Sequence, residues 1–221
     1  LQARPVAQAE VDAALADARG SGDCAPVVEG CVGAGTGTTC YGWKGGIGTA
    51  SRVIPADRGG WTVGALVQTN FGRAEELIFA GIPVGDWLRP PAQPQPSPPE
   101  RGSVIVVLAT DAPLDSRQLH RLCVRAGAGL ARTGSHIGHG SGDFVIAFST
   151  ARHIQHWAEA LTQTATVLAD EGAAMAGLFP GVVEAVEEAV LNSLCAATTI
   201  TGRGGHVRYA LPVEEISPDI R

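Results

Sequence analysis

The chain has 221 residues, of which 45% are hydrophobic and 17% are charged, enough for one domain with a sizeable core or two small ones. Its formal net charge is −6 and no basic run occurs, which excludes nucleic acid and anionic membrane surfaces as expected partners. No apolar run reaches the roughly 20 residues that a membrane-spanning helix needs.

The first part of the chain predicts one helix followed by short strands. Residues 1–11 lack the basic-then-apolar layout of a signal peptide and do not begin with Met. We therefore expect a cytoplasmic chain whose sequence starts at a truncation or processing point. Apolar residues at helical spacing predict an amphipathic helix over 6–19. The many glycines of 20–60 are typical of strands joined by tight turns, and "WTVGALVQTN" (61–70) predicts a buried strand that ends in a polar residue.

A proline-rich segment divides the chain. Seven of the fourteen prolines lie between positions 83 and 99, a density that forbids helix and sheet ladder alike. This composition predicts an exposed, extended linker over 83–102. It is followed at once by "VIVVLAT" (104–110), a β-branched run expected of a central strand.

The remaining elements alternate between helix and strand. Residues 115–132 predict a helix with Asp115 as its N-cap, and "DFVIAFST" (143–150) predicts a second buried strand. Two more helices are predicted near 154–168 and 182–197. Strands on both sides of the linker with helices toward the end indicate a layered α/β or α+β fold.

The junction between linker and strand is a place where the chain could be cleaved and a reactive serine produced. An exposed linker is a place where a chain can be cut. A break between Gly102 and Ser103 would give Ser103 a free α-amine with a pKa of about 8, near enough to neutral to act as general base for its own hydroxyl. The residues alone also fit an ordinary loop serine, and this alternative stays open.

Four motifs carry a resemblance to a known family. They are "GTGTTCYGWKGGIGTASRV", "TVGALVQTNFG", "GSVIVVLATDAPL" and "GLARTGSHIGHGSGDFVIAFST". In this order they resemble the DmpA/BapA family (peptidase family S58), the L-aminopeptidase/D-amidase-esterases and β-aminopeptidases, which are self-processing N-terminal-nucleophile hydrolases. The resemblance runs from about residue 28 to residue 203. It implies an αββα four-layer sandwich, two β layers flanked by helices, as a single hydrolase domain over 1–221.

The resemblance also implies where the precursor is cut. The break would fall at Gly102–Ser103, which leaves an α chain of residues 1–102 and a β chain of residues 103–221. Ser103 would be the nucleophile in both self-cleavage and turnover.

The same resemblance implies three further catalytic residues. The family's second serine and its acidic residue match Ser141 and Asp143 in the S-G-[DE] motif, where they would assist proton transfer at Ser103. The family's oxyanion-stabilising asparagine matches Asn70.

The implied activity is removal of the N-terminal residue from short peptides, amides or esters through an acyl-enzyme on Ser103. No cofactor is implied, and the αβ units are expected to form a homo-oligomer. Family members usually carry well over a hundred residues before the stretch that matches residue 28, and only 27 precede it here. Two alternatives therefore stay open: a truncated, uncleaved inactive remnant, and a small-molecule binding domain of the same fold.

Other motifs favour simpler interpretations. His136, His139 and Asp143 lie in a glycine-rich stretch whose spacing is loose for a metal site, so no metal is expected. The five cysteines are odd in number and contain no C-x-x-C pair, which favours free buried thiols in a reducing compartment.

The stretch "GTTCYGWKG" (37–45) is close to a phosphate-binding loop. Trp43 interrupts that motif and Gly45 stands where a magnesium-binding hydroxyl should be, so nucleotide binding is not expected. Tyr41 and Lys44 are candidate substrate-binding residues that would line the cleft. Packing is the alternative for both.

Overall fold

A four-stranded mixed sheet forms the centre of the computed structural model, which describes residues 6–20, 26–91, 102–154, 156–157 and 160–216. Short two-stranded sheets accompany it. The elements of the described residues are α1 Gln8–Gly20, β1 Thr39–Cys40, β2 Trp43–Lys44, β3 Ile47–Val53, β4 Thr62–Asn70, β5 Ser103–Thr110, α2 Ser116–Arg132, β6 Phe144–Ser149, α3 Ala173–Cys195, β7 Ile200–Thr201, β8 Val207–Arg208 and α4 Val213–Ile216.

The topology of the central sheet determines which strand ends meet. The strand order is β3-β4-β5-β6, and all neighbours are antiparallel except β5 and β6, which run parallel. Parallel neighbours need a crossover connection, and α2 lies in the connection from β5 to β6. The residues that enter β5 and β6 therefore lie side by side at one edge of the sheet.

Helices α2 and α3 cover one face of this sheet. Helix α3 lies against β3 and β4, and α2 lies against α3 and β6. A Cβ atom on Gly48 would lie 1.9 Å from the carbonyl oxygen of Ala189, so only glycine lets α3 approach β3 this closely. The buried apolar residues of β4 and β5 on the covered side are Val63, Ala65, Val67, Val104, Val106 and Leu108. Each fully buried Val or Leu contributes about 1.5–3 kcal/mol to folding.

The opposite face of the sheet, called the open face below, consists of the alternate residues of the same strands. Five large apolar side chains on it are exposed: Val53 (71%), Ile105 (39%), Phe144 (64%), Ile146 (58%) and Phe148 (47%). The described residues thus form one helix layer and one sheet of the predicted αββα arrangement. The class of the fold, mixed α/β, is as predicted.

Several predicted elements are confirmed. The strands predicted over 61–70, 104–110 and 143–150 correspond to β4, β5 and β6. Strand β6 is not buried as predicted, because its residues alternate between exposed and half-buried where one face of the sheet is uncovered. Asp115 is the N-cap of α2, where its carboxylate accepts a hydrogen bond from the backbone N–H of Gln118. Local patterning and cap chemistry were sufficient for these four elements.

The predicted helix over 154–168 is wrong for the described residues of that stretch, which contain none. Thr162, Thr164 and Thr166 are β-branched and fit a helix poorly, and Leu161 is fully exposed. Without a packed apolar face, helical spacing does not stabilise a helix.

The last long helix begins earlier than predicted. The prediction placed its start at residue 182, whereas α3 begins at Ala173 and contains Pro180, a residue that breaks most helices. Met175 and Leu178 are buried in this first part, so tertiary packing outweighs the proline penalty.

The predicted linker over 83–102 is described only at its ends. Val84–Asp86 forms a 3₁₀ turn, and Val84 and Leu88 are buried, so this part is not extended and is only partly exposed. Residues 92–101 lie outside the described residues.

Helix α1 has no buried residue. Among the described helices, none combines the length and hydropathy required to cross a membrane.

Candidate active site at Ser103

The register of two strands places Ser103 opposite Asn70. Strand β4 ends at Asn70 and β5 begins at Ser103, and the two residues are direct partners in the antiparallel ladder. Directly opposed residues project from the same face, with Cβ atoms about 4.5–5.5 Å apart. Both side chains therefore lie at one end of the open face, where Ser103 is exposed and Asn70 half-buried.

The loop before β6 reaches the same point. The carboxylate oxygen Oδ1 of Asp143 accepts hydrogen bonds from the Ser141 hydroxyl at 2.6 Å and from the backbone N–H of Val104 at 3.2 Å. The backbone N–H of Gly142 donates to the carbonyl oxygen of Gly102 at 3.0 Å. Hydrogen bonds thus tie the loop to the chain on both sides of Ser103.

The hydroxyl of Ser103 lies against the carbonyl that precedes it. Its Oγ donates to the carbonyl oxygen of Gly102 at 2.7 Å. A Cβ atom on Gly142 would lie 3.2 Å from this Oγ, and one on Gly102 would lie 2.9 Å from Cα of Phe71. Glycine at both positions leaves the space in which Oγ and the carbonyl can approach each other.

The side-chain amide of Asn70 has a defined orientation. The backbone N–H of Thr39 donates to Asn70 Oδ1 at 3.3 Å. Because the amide oxygen accepts this bond, the amide nitrogen Nδ2 is the side of the group that is left to donate elsewhere.

Tyr41 and Lys44 lie in the interior. The Lys44 side chain is 1% exposed, and burial lowers the pKa of its ammonium group. Tyr41 is fully buried, packs edge-on against Phe71 and shares a 2.8 Å hydrogen bond with Thr133. This placement favours a structural role for both residues over the predicted contact with substrate, which stays a prediction.

The thiols and histidines of the described residues form no cluster that could hold a metal ion. The cysteines of the described ranges are free, and burial raises the pKa of Cys40 to about 12, whereas Cys195 is exposed. The sequence interpretation of free thiols holds for these residues, but not all of them are buried. Within the described part of the chain, no group of three or more His, Cys, Asp or Glu residues could hold a metal ion.

Sequence reasoning missed two backbone donors of the site. These are the N–H of Gly142 on the Gly102 carbonyl and the N–H of Thr39 on the Asn70 amide. The glycine between Ser141 and Asp143 was a signal for the first, since close backbone approach favours glycine. Nothing near Thr39 in the sequence indicates the second, because the bond spans 31 residues.

The fold is similar to those of known aminopeptidases. A Burkholderia sp. beta-aminopeptidase structure has 42% sequence identity and a TM-score of 0.84, over 99% of this chain and 59% of that chain. The L-aminopeptidase D-Ala-esterase/amidase from Ochrobactrum anthropi, described as a prototype for the serine aminopeptidases, has 38% identity and a TM-score of 0.81, over 98% of this chain and 58% of that chain. The latter structure is described as a variant of the Ntn hydrolase fold. The class of protein is therefore an α/β protein with the Ntn hydrolase type of fold.

The family is more specific than the fold. The sequence profile of peptidase family S58 matches residues 1–208, and the chain belongs to this family. Two curated relatives are both named beta-peptidyl aminopeptidase BapA. The one from Sphingosinicella microcystinivorans is 42% identical over 204 residues, or 86% of this chain and 51% of the relative. The one from Sphingosinicella xenopeptidilytica is 39% identical over 218 residues, which is 94% of this chain and 53% of the relative. The chain thus spans about half the length of the curated relatives it matches.

Proposed function

We propose that the polypeptide carrying this chain is a self-cleaving aminopeptidase and amidase whose nucleophile is Ser103. The observation that carries the proposal is the hydrogen bond from the Gly142 N–H to the Gly102 carbonyl oxygen, 3.0 Å long, beside the Ser103 hydroxyl. A donor on this oxygen polarises the carbonyl that self-cleavage must attack.

Self-cleavage would begin with an acyl shift. Ser103 Oγ attacks the carbonyl carbon of Gly102, and the Gly142 N–H stabilises the negative charge on the carbonyl oxygen. The C–N bond breaks as the Ser103 nitrogen takes up the proton that Oγ has lost, which leaves an ester between Gly102 and Oγ. Water hydrolyses the ester, and the products are a Gly102 carboxylate and a free α-amine on Ser103.

The same serine then turns over substrate. Its α-amine takes the Oγ proton, Oγ attacks the substrate carbonyl, and the ammonium protonates the departing amine. Water releases the acyl group from the resulting ester. An α-amine suits this work because its pKa of about 8 lies close to neutral pH.

The neighbouring side chains have separate roles in the proposal. The Nδ2 of Asn70 donates to the oxyanion of the substrate, since its Oδ1 is held by Thr39. Ser141 relays protons between the Ser103 amine and Asp143, to which it is hydrogen bonded. Asp143 stabilises the ammonium form electrostatically.

The substrate class follows from the relatives. Their names specify β-peptidyl aminopeptidase and L-aminopeptidase D-Ala-esterase/amidase activity. We propose that short peptides, amides or esters with a free N-terminus are cleaved here, and that cut αβ units assemble into a homo-oligomer. The open face beside Ser103 offers an apolar surface for such a substrate and for further layers of the protein.

Intact mass and N-terminal sequencing of the purified polypeptide test the proposal. We expect two chains separated between Gly102 and Ser103, a single uncut chain for Ser103→Ala, and slow residual cutting for Ser103→Cys. A panel of aminoacyl and β-aminoacyl p-nitroanilides would identify the acyl group that Ser103 accepts. An uncut wild-type chain that hydrolyses these substrates at full rate would overturn the proposal, and an uncut inactive one would favour the remnant.

A further inference from the structure

Lys44 is a buried cation that donates to three backbone carbonyl groups and also interacts with the side chain of Cys31. Its ammonium donates to the carbonyl oxygens of Gly35 at 2.7 Å, Thr38 at 2.9 Å and Gly45 at 2.6 Å. An ammonium group has three N–H bonds, so these three acceptors match its full donor capacity. Burying a charge is costly in free energy unless it is fully hydrogen bonded. A lysine buried in this way therefore suggests a role beyond filling space.

One of these carbonyls belongs to the peptide group that orients Asn70. The Thr38 carbonyl and the Thr39 N–H are two ends of one planar peptide unit. Lys44 binds its oxygen end, and its N–H end donates to Asn70 Oδ1 at 3.3 Å. The charge polarises the peptide, which strengthens the bond that its N–H makes and fixes the direction of that bond.

Lys44 also anchors the backbone next to Asn70. It binds the Gly45 carbonyl, and the following residue, Gly46, exchanges hydrogen bonds with Thr69. The backbone N–H of Gly46 donates to Thr69 Oγ1 at 3.1 Å, and the backbone N–H of Thr69 donates to the Gly46 carbonyl at 3.0 Å. Lys44 therefore binds two peptide groups that contact the region of Asn70. The Thr38–Thr39 peptide holds the side-chain amide of Asn70, and the Gly45–Gly46 peptide holds the backbone just before it.

We propose that Lys44 is a positioning residue, which acts through the Thr38–Thr39 peptide to keep the Asn70 amide nitrogen directed at the oxyanion. The inference rests on the proposed oxyanion role of Asn70. If the amide turned over, its oxygen would face the developing negative charge and raise the barrier instead of lowering it. Lys44 needs no contact with substrate for this effect.

A double-mutant cycle separates positioning from general support of the fold. Lys44→Met keeps an unbranched chain of similar length and removes the donors. We expect kcat to fall at least about tenfold with little change in KM, because removal of an oxyanion donor itself costs about 10²–10³ in kcat. In an Asn70→Ala background the same change should have no further effect on kcat. Rates are normalised to the amount of cut chain measured by intact mass.

Ser193→Ala is the matched control. Ser193 is also fully buried, and its hydroxyl is hydrogen bonded to Thr69 and to the Val190 carbonyl. Its loss should lower stability without a fall in kcat. Lys44→Gln, which retains two N–H donors, should have a kcat between those of wild type and Lys44→Met, and replaces the methionine variant if that variant does not fold.

A spectroscopic readout makes the inference independent of activity. In protein labelled with ¹⁵N-asparagine, the Asn70 side-chain NH₂ signals are assigned by their loss in Asn70→Ala. We expect one sharp pair in wild type and in Ser193→Ala, and shifted or broadened signals in Lys44→Met or Lys44→Gln.

The outcomes distinguish failure of the positioning role of Lys44 from failure of the oxyanion role of Asn70. Unchanged Asn70 signals in a folded Lys44 variant would overturn the inference, as would multiplicative effects of Lys44→Met and Asn70→Ala on kcat. A wild-type kcat in Asn70→Ala would instead overturn the proposed role of Asn70.

Discussion

The two faces of the central sheet differ sharply although they share the same strands. On the covered face, Val106 and Leu108 are at most 1% exposed beneath the helix layer. On the open face, Ile105 is 39% exposed and Phe144 on the next strand 64%. Ser103 and Asn70 lie at one end of this open face.

The difference indicates that stability and chemistry are separated by face. The covered face supplies the core that holds the strands in register, and the open face presents the groups that register brings together. An apolar face of this kind is also suited to burial. The second β layer of the predicted αββα sandwich would pack on it, which agrees with relatives about twice as long as this chain.

The largest expected effect tests the two faces within one strand. Leu108→Ala should lower the free energy of unfolding by about 2–5 kcal/mol, because it leaves a cavity under the helices. Ile105→Ala, three residues away on the open face, should cost less than about 1 kcal/mol. Urea denaturation measures both. Equal losses would mean that the open face is covered as thoroughly as the other.

The second prediction compares the two ends of β6 through a serine just before the strand and a serine at its last position. Ser141→Ala should slow both self-cleavage and turnover at least about 100-fold, the lower range for loss of a proton-transfer group. Ser149→Ala removes a hydroxyl that donates to the Ala112 carbonyl at 2.6 Å, at the other end of β6, and should leave both rates unchanged. Time courses of intact mass and p-nitroaniline release give the two rates. A normal rate in Ser141→Ala would remove Ser141 from the mechanism.

The third prediction uses two glycines with different surroundings. Gly142→Ala would place a methyl group 3.2 Å from Ser103 Oγ, and we expect self-cleavage to slow about tenfold, or about 1.4 kcal/mol in barrier height. Gly127 lies within α2, and a Cβ atom there would meet only the Ile137 Cδ1 atom, at 3.6 Å. Gly127→Ala should therefore stabilise the protein by up to about 1 kcal/mol with no change in the rate of self-cleavage. Equal cleavage rates in the two variants would contradict the crowding at Ser103.

The smallest effect concerns the outer surface of the helix layer. A hydrogen bond from Arg117 lowers the pKa of the Asp170 carboxyl below its usual range. The folded state therefore favours the carboxylate, which stabilises the protein above about pH 4 and ceases to do so as the pH falls through the folded-state pKa. Asp170→Asn should be slightly less stable than wild type at pH 7, and the difference should vanish in acid. Thermal melts from pH 7 to pH 2 measure it, with Arg117→Gln as control. A difference that persists in acid would contradict this origin.

Prediction from sequence succeeded where the signal is local. The alternation in 61–70, the β-branched run at 104–110 and the cap at Asp115 each arise within a few residues, and the structure confirms all three elements. Helical spacing alone was misleading at 154–168, where the exposed Leu161 shows that no packing partner supports a helix. Conversely, burial of Leu178 carries α3 through Pro180 against the local rule.

The candidate site likewise contains residues that local motifs identify and contacts that only the fold produces. Ser103, Asn70, Ser141 and Asp143 could be chosen from motifs, because the motif residues lie close together in the sequence or match a family pattern. Their meeting depends on the β4–β5 register and on the parallel pairing of β6 with β5, which no single segment encodes. The interior position of Lys44 was likewise unpredictable, since its three carbonyl partners are determined by how the loops around β1 and β2 fold back on each other.

The sequence by itself determined the strands, the capped helix and the place where a serine follows a proline-rich segment. These features depend on side-chain periodicity and backbone preference over short distances, and both are written locally. Only the tertiary structure decided that Asn70 faces Ser103, that the Gly142 N–H binds the Gly102 carbonyl and that a buried lysine holds the peptide behind Asn70. Hydrogen bonds between distant residues depend on strand alignment that packing of the covered face maintains, and that alignment is a property of the whole fold.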